Sequence, residues 1–151
     1  MTEKKGIQRH ESLHSLSHHH HEGLFLALNL KRVETKKARY SLEQTAADVK
    51  NFWVPGGKQH FREEEEILLP AYAEYGPVDL PEIKTMLVDH IRIRAMMESI
   101  IHNDTPSPDA MHELGERLET HIRLEERVIF PYIEETLPEE KLQELARRLE
   151  G

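Results

Sequence analysis

Two stretches of the 151-residue chain repeat one pattern of residues, and this repeat constrains the fold more than any other feature. Each stretch has a histidine, a pair of glutamates that begins four positions later, one spacer, three apolar residues and a proline. The copies are HFREEEEILLP at residues 60–70 and HIRLEERVIFP at residues 121–131. A match of this length within one short chain is not expected by chance, so both copies should share a structure and a role.

The spacing within each copy predicts a helix that directs its polar pair inward. Residues i and i+4 lie on one helical face, about one turn apart. His60 therefore lies beside Glu64, and His121 lies beside Glu125. The seventh position after each histidine is on the same face and is apolar in both copies, with Ile67 in the first and Val128 in the second. We therefore expect both His–Glu pairs to point toward the core.

Apolar residues recur at helical spacing through the rest of the chain, and no segment alternates as a β-strand does. Glycine and proline mark the joints, and Pro55-Gly56-Gly57 should kink or split the second helix. The expected helices cover about 12–37, 41–75, 81–101, 109–135 and 138–150, and Asp109 is the expected cap of the fourth. We predict one all-α domain over residues 1–151, an antiparallel up-down-up-down four-helix bundle (core about 12–135) with a short extra C-terminal helix across one end.

Two buried, ionised glutamates that face each other would repel unless a cation lay between them. A bound metal removes this cost, and each of the other two helices offers a histidine on an apolar stripe. His90 has apolar residues at −4, −3, +3 and +7, and His20 lies between Leu16 and Leu24. His21 is the alternative to His20, because apolar residues also follow it at helical spacing. We expect their neighbours His18 and His19 to be more exposed.

These residues form a set of candidate metal ligands with nitrogen and carboxylate donors. The chain has no cysteine, so thiolate sites are excluded. Such a donor set suits iron, and also zinc or manganese. Six side chains are more than a structural zinc site uses, and they fit two ions bridged by carboxylates. The candidates are His20, His60, Glu64, His90, His121 and Glu125.

The composition indicates which classes of partner and which location to expect. The net charge is −8 and only 6% of the residues are aromatic, which disfavours a nucleic-acid binder. No apolar run approaches the ~20 residues of a membrane-spanning helix. The charged N-terminus has no apolar core of a secretory signal, so the expected location is the cytoplasm.

With these motifs in view, the chain resembles the hemerythrin-like, or HHE cation-binding, domains over about residues 16–131. The resemblance is carried by LSHHHHEGL at 16–24, VDH at 88–90 and the two repeated motifs. It implies a four-helix bundle around a non-haem di-iron centre that has the six candidates as ligands and Glu64 and Glu125 as bridging carboxylates. Activities in this family include reversible dioxygen binding, oxygen or nitric-oxide sensing, iron sensing and iron handling.

Three features depart from that family. The aspartate that often precedes its first-helix histidine is His19 here. Its oxygen carriers space the histidine and carboxylate of the last helix by five residues rather than four, and they have a second histidine one turn after the third-helix histidine. Here the position is Arg94, which we expect to turn outward or pair with an acidic residue, and His21 is the remaining candidate for a seventh ligand. We therefore predict a protein that binds or senses dioxygen or a related small ligand, or handles iron. A sensor of this size would signal through a partner protein. The alternative is a di-iron oxidase or peroxidase that uses the same site.

Overall fold

The computed structural model describes residues 9–150, and every regular element in that range is helical, as predicted. Four long helical segments are followed by a shorter one. We number the α-helices in chain order and name the π-helical turns within them. The elements are a 3-10 turn at Glu11–Leu13, α1 at His14–Arg32, α2 at Leu42–Phe52, a π-turn at Trp53–Gly57, α3 at Lys58–Glu63, a π-turn at Glu64–Leu68, α4 at Leu69–Ala73, α5 at Pro81–Ile101, α6 at Pro108–Leu124, a π-turn at Glu125–Ile129, α7 at Phe130–Thr136 and α8 at Glu139–Glu150.

Local sequence signals explain where several helices begin. Ser41 and Gln44 form a capping box, in which each side chain accepts a hydrogen bond from the other residue's backbone amide. Pro81 begins α5. The expectation that Asp109 caps the fourth long segment is wrong, because Pro108 occupies the first helical position and Ser107 is the cap. The Ser107 hydroxyl accepts from the amide of Ala110 at 3.0 Å.

A π-turn lies at or just before each internal proline of the second and fourth segments. Proline has no amide hydrogen, and its ring clashes with the carbonyl four residues earlier in a regular α-helix. A wider turn relieves this clash while the helix continues. The second segment therefore continues as helix from residue 42 to residue 73, without a split at Pro55-Gly56-Gly57.

The π-turns also shift the buried face of the helices that contain the repeated motifs. Ile67 is only half-buried and Val128 is 42% exposed, whereas Leu68 and Ile129 are buried. Ile67 still packs against buried core residues, so the expectation that the seventh residue after each histidine faces the core holds in part for Ile67 and is wrong for Val128. Each π-turn adds one residue per turn, so the core position moves from i+7 to i+8.

The long segments contact one another in a ring. The first segment contacts the second and fourth, and α5 contacts both α2 and α6. Along α1, Ser17 lies against Glu126 and Lys31 lies against Glu119, so α1 and the fourth segment run in opposite directions. Among the described residues, no helix has the length and apolar character needed to cross a bilayer.

Two apolar clusters form the core. One contains Leu13, Tyr72 and Phe130 and is completed by the buried leucines of α8. The other contains Trp53 and the inner faces of α1, α5 and α6. In each of the four long segments, the predicted site residues fall between members of the two clusters along the sequence. The site is therefore enclosed by apolar side chains on both sides.

Candidate metal centre

All six predicted site residues come together inside the bundle. Each is at most 6% exposed, although each is polar or charged. Their ligand atoms form two groups of four, and within a group these atoms all lie within 4.8 Å of one another. The groups are His20, His60, Glu64 and Glu125, and then Glu64, His90, His121 and Glu125. Both groups contain the same two glutamates.

The two glutamates divide their oxygens between the groups. In the first group, Glu64 Oε2 lies 2.9 Å from His60 Nε2, and Glu125 Oε1 lies 2.9 Å from His20 Nε2. In the second group, Glu64 Oε1 lies 3.0 Å from His90 Nε2. Glu125 Oε2 lies 2.8 Å from His121 Nε2. Each carboxylate therefore presents one oxygen to each group, which is the arrangement of a bridging ligand.

The unsatisfied atoms of the site fit a cation in each group. Glu64 Oε1, Glu125 Oε1 and His121 Nε2 are buried without a hydrogen-bond partner among residues 9–150, despite the short contacts given above. Buried polar atoms are otherwise almost always hydrogen-bonded. A metal ion in each group would accept these lone pairs, so that the two ions together would satisfy all three atoms and neutralise the carboxylates.

The second glutamate of each repeated motif binds a histidine from another helix. Glu65 Oε2 lies 2.6 Å from His90 Nδ1, and Glu126 Oε2 lies 2.6 Å from His20 Nδ1. Each carboxylate favours a proton on Nδ1, which leaves the Nε2 lone pair free to coordinate metal. These glutamates were not among the predicted site residues, although their presence in both copies of the motif was a signal.

The remaining two histidines have different partners. His121 Nδ1 lies 3.3 Å from Asp89 Oδ2. His60 Nδ1 lies 3.1 Å from Nδ1 of His19, whose ring stacks on Phe52 at a centroid distance of 4.8 Å. His19 was expected to be exposed, but it is half-buried because it packs between α1 and the second segment.

Two arginines contact the carboxylates of Glu65 and Glu126, which we call the outer carboxylates. Arg94 donates to Glu65 at 3.3 Å, so it pairs with an acidic residue as expected and contributes no ligand. Arg9 donates to the Glu126 carboxylate at 3.0 Å and to its carbonyl at 2.7 Å. Arg9 was not among the predicted site residues, because it lies before the first periodic segment.

His21 does not join the cluster. It is exposed, and its ring stacks on that of His18 at a centroid distance of 6.5 Å. The structure thus brings His20 to the cluster and leaves His21 at the surface. No seventh histidine from α1 completes either four-residue group.

Without a cation, protons compensate the buried charge. Burial, and next the Glu125 carboxylate, raise the pKa of Glu64 well above its usual value. Burial opposes ionisation of Glu125 as well, but His121 and other donors outweigh it and hold the pKa of Glu125 well below its usual value. Burial likewise opposes charging of His121, but its acidic neighbours raise its pKa to about 9. Metal binding must displace these protons, so it should depend on pH.

A small cavity lies against the histidines. Its lining includes His20, His60 and His121, and also apolar residues such as Trp53 and Leu118. The cavity has room for about one water-sized molecule. Its size and its apolar wall suit a small uncharged ligand.

Comparison with known proteins identifies one family. The family model described as "Hemerythrin HHE cation binding domain" matches residues 12–133, a range that includes all six candidate ligands. No curated protein and no solved structure gave a significant match to the chain.

Proposed function

This chain belongs to the hemerythrin HHE cation-binding domain family, and on that basis we propose that it is a non-haem di-iron protein that binds or senses dioxygen or a related small ligand, or handles iron. The observation that carries the proposal is the division of the Glu64 and Glu125 oxygens between two four-residue groups. Two ions at normal ligand distances would share these carboxylates. His20 and His60 would complete one subsite, and His90 and His121 the other.

We also propose that the chain is one domain with an up-down-up-down four-helix topology. Opposed directions in two neighbouring pairs of segments support it. Gly23 and His19 of α1 lie near Phe52 and His60 respectively, so α1 and the second segment run in opposite directions. The contacts between α1 and the fourth segment show that these two segments also run in opposite directions.

Iron is the proposed metal because the donors are imidazole nitrogens and carboxylate oxygens, and the site has no thiolate. Zinc and manganese accept the same donors. Bound iron would supply the electrons that react with dioxygen or a similar oxidant. The protein residues hold the ions together, fix the imidazole tautomers through the outer carboxylates and exclude bulk water with the apolar clusters.

A binding or sensing role is favoured over catalysis by the size of the cavity beside His60 and His121. A space for about one water-sized molecule admits a diatomic ligand but not an organic substrate. The alternative is an oxidase or peroxidase at the same six residues. Such an enzyme would consume a small oxidant repeatedly, whereas a binding protein or sensor would not. A sensor would need a partner protein to transmit its state.

Each subsite has two histidine nitrogens and two carboxylate oxygens, so positions remain for water or an external ligand. Arg94 pairs with Glu65 and adds no donor. We propose that this open site reacts with air without reversible oxygen storage, which suits sensing or iron handling better than transport.

The test is to load the metal-free protein with ferrous iron anaerobically, mix it with oxygenated buffer and follow absorbance and oxygen uptake. We expect uptake of a fixed amount of oxygen per chain, with a spectral change that degassing does not reverse. A change that reverses on degassing and returns on aeration would establish oxygen storage instead. Sustained uptake with added reductant would establish the enzyme. Glu64→Ala is the control, because it should neither hold the iron nor react.

A further inference from the structure

The two halves of the bundle carry equivalent site residues. Each half supplies one histidine from its first helix, followed by a His-x-x-x-Glu-Glu motif from its second. The residue before the first-helix histidine in each half also reaches the second-helix histidine of the same half. The equivalent pairs are His19 and Asp89, His20 and His90, His60 and His121, Glu64 and Glu125, and Glu65 and Glu126.

The pair of His19 and Asp89 differs in chemistry, because one member is an imidazole and the other is a carboxylate. Three of the four candidate histidine ligands place Nδ1 against a carboxylate, at distances between 2.6 and 3.3 Å. The fourth, His60, places Nδ1 against the ring nitrogen of His19 at 3.1 Å. His19 therefore stands where the other half has Asp89.

This difference changes the donor strength of His60. A carboxylate that accepts the Nδ1 proton makes the opposite nitrogen a stronger metal ligand, and loss of such a partner typically weakens metal affinity 10–100-fold. A neutral imidazole can accept the same hydrogen bond but supplies no negative charge. His60 is thus the weakest of the four imidazole donors.

The nearby arginines do not reverse this order. Glu126 is paired with Arg9, Glu65 with Arg94, and Asp89 lies 3.7 Å from Arg117. All three carboxylates therefore share the same kind of partial neutralisation, and within residues 9–150 His60 is the one candidate ligand whose Nδ1 has no carboxylate partner.

We propose that the two metal subsites are unequal, so that the His90–His121 subsite fills first and the His20–His60 subsite fills second, because His19 takes the place of a carboxylate. The proposal rests on the two-metal assignment made above. At limiting metal the protein would hold one ion, and the second subsite would report the metal concentration. His19 acts through His60 and is a positioning residue, not a ligand.

The experiment is a titration of metal-free protein with Co²⁺, followed by its visible absorbance and by competition with a chelator. We expect two binding steps that differ at least ~10-fold in dissociation constant. His60→Ala should remove the weaker step, and His121→Ala should remove the tighter one.

The decisive variant is His19→Asp, which copies the Asp89 arrangement into the other half. It should tighten the weaker step by ~10–100-fold and leave the tighter step unchanged. His18→Asp is the matched control, because it introduces the same charge at the exposed neighbouring position and should change neither step. Asp89→Asn should weaken the tighter step, and it provides an independent test if His19→Asp does not fold.

Two results would overturn the proposal while leaving the two-metal site intact. One is a wild-type protein that binds two ions with equal affinity, and the other is a folded His19→Asp variant whose two steps match the wild type. A wild-type protein that binds no metal would instead refute the proposed function, so the two failures are distinguishable. A gain of affinity from His19→Asp could not come from a merely structural role of His19.

Discussion

Replacing Glu64 by glutamine should change the stability of the protein in opposite directions with and without metal. Glu64 is fully buried, and burial together with the Glu125 carboxylate raises its pKa well above the ordinary value of 4.5. A carboxyl with a raised pKa in the folded state destabilises the fold as the pH rises above the unfolded value. Glutamine carries no charge, so the metal-free variant should unfold at a higher temperature than the wild type at neutral pH. Below about pH 4.5 the advantage should vanish, because both side chains are then neutral.

With metal the order should reverse. Binding to the native state stabilises it by about 2.7 kcal/mol per ion at a free concentration of 100 times the dissociation constant. Two ions therefore contribute about 5.4 kcal/mol, again at that concentration. A chain of this size gains about 2–4 °C per kcal/mol, so saturation should raise the wild-type midpoint by about 11–22 °C. Glu64→Gln removes a bridging carboxylate and should lose most of this rise.

The assay is thermal unfolding followed by far-ultraviolet circular dichroism, with added ferrous iron under anaerobic conditions and with a chelator. Glu66→Gln is the matched control, because Glu66 is exposed on the same segment and pairs only with exposed Arg62 at 3.4 Å. It should behave as the wild type in both conditions. A Glu64→Gln variant that keeps the full metal-induced rise would show that Glu64 is not a ligand. A metal-free variant that is less stable than the wild type would show that the buried Glu64 carboxylate does not destabilise the fold.

Three further predictions follow from individual contacts. Glu65→Gln should still bind two ions, but with ~10–100-fold weaker affinity at the subsite of His90 when measured by chelator competition. Unchanged affinity would show that the Glu65 contact does not strengthen His90 as a ligand. Metal affinity should rise with pH up to about 9, because His121 must lose a proton whose pKa is about 9 before it can bind; a flat profile in Co²⁺ titrations would contradict this. Gly115→Ala should destabilise the protein by about 1–3 kcal/mol in urea unfolding, because the new methyl would lie 2.8 Å from the Ala27 carbonyl oxygen, and an unchanged midpoint would show that the helices can separate.

The six central residues could be predicted from the sequence because the repeat and the apolar periodicity are local patterns. His60 and Glu64 share a helical face within a single turn, and their copy in the fourth segment has the same frame. These patterns do not extend past the prolines. The π-turns that move the fully buried position to i+8 depend on how a helix accommodates Pro70 and Pro131. Val128 was therefore misplaced, and Ile67 lies only at the edge of the core.

The outer residues of the site could not be predicted, because their contacts join different helices. Glu65 and Glu126 each bind a histidine from another segment, and the sequence gives no rotation or height of one helix relative to another. His19 looked exposed beside three other histidines, but its ring is half-buried against Phe52 and His60. Arg9 reaches Glu126 from a segment without periodicity.

We propose above that Glu64 and Glu125 each bridge two metal ions held by four histidines. Metal content tests this assignment: the untagged protein is purified without nickel and then titrated anaerobically with ferrous iron. We expect saturation at two ions per wild-type chain and loss of tightly bound iron in Glu125→Ala. Saturation at one ion, or a Glu125→Ala variant that still holds two, would contradict it.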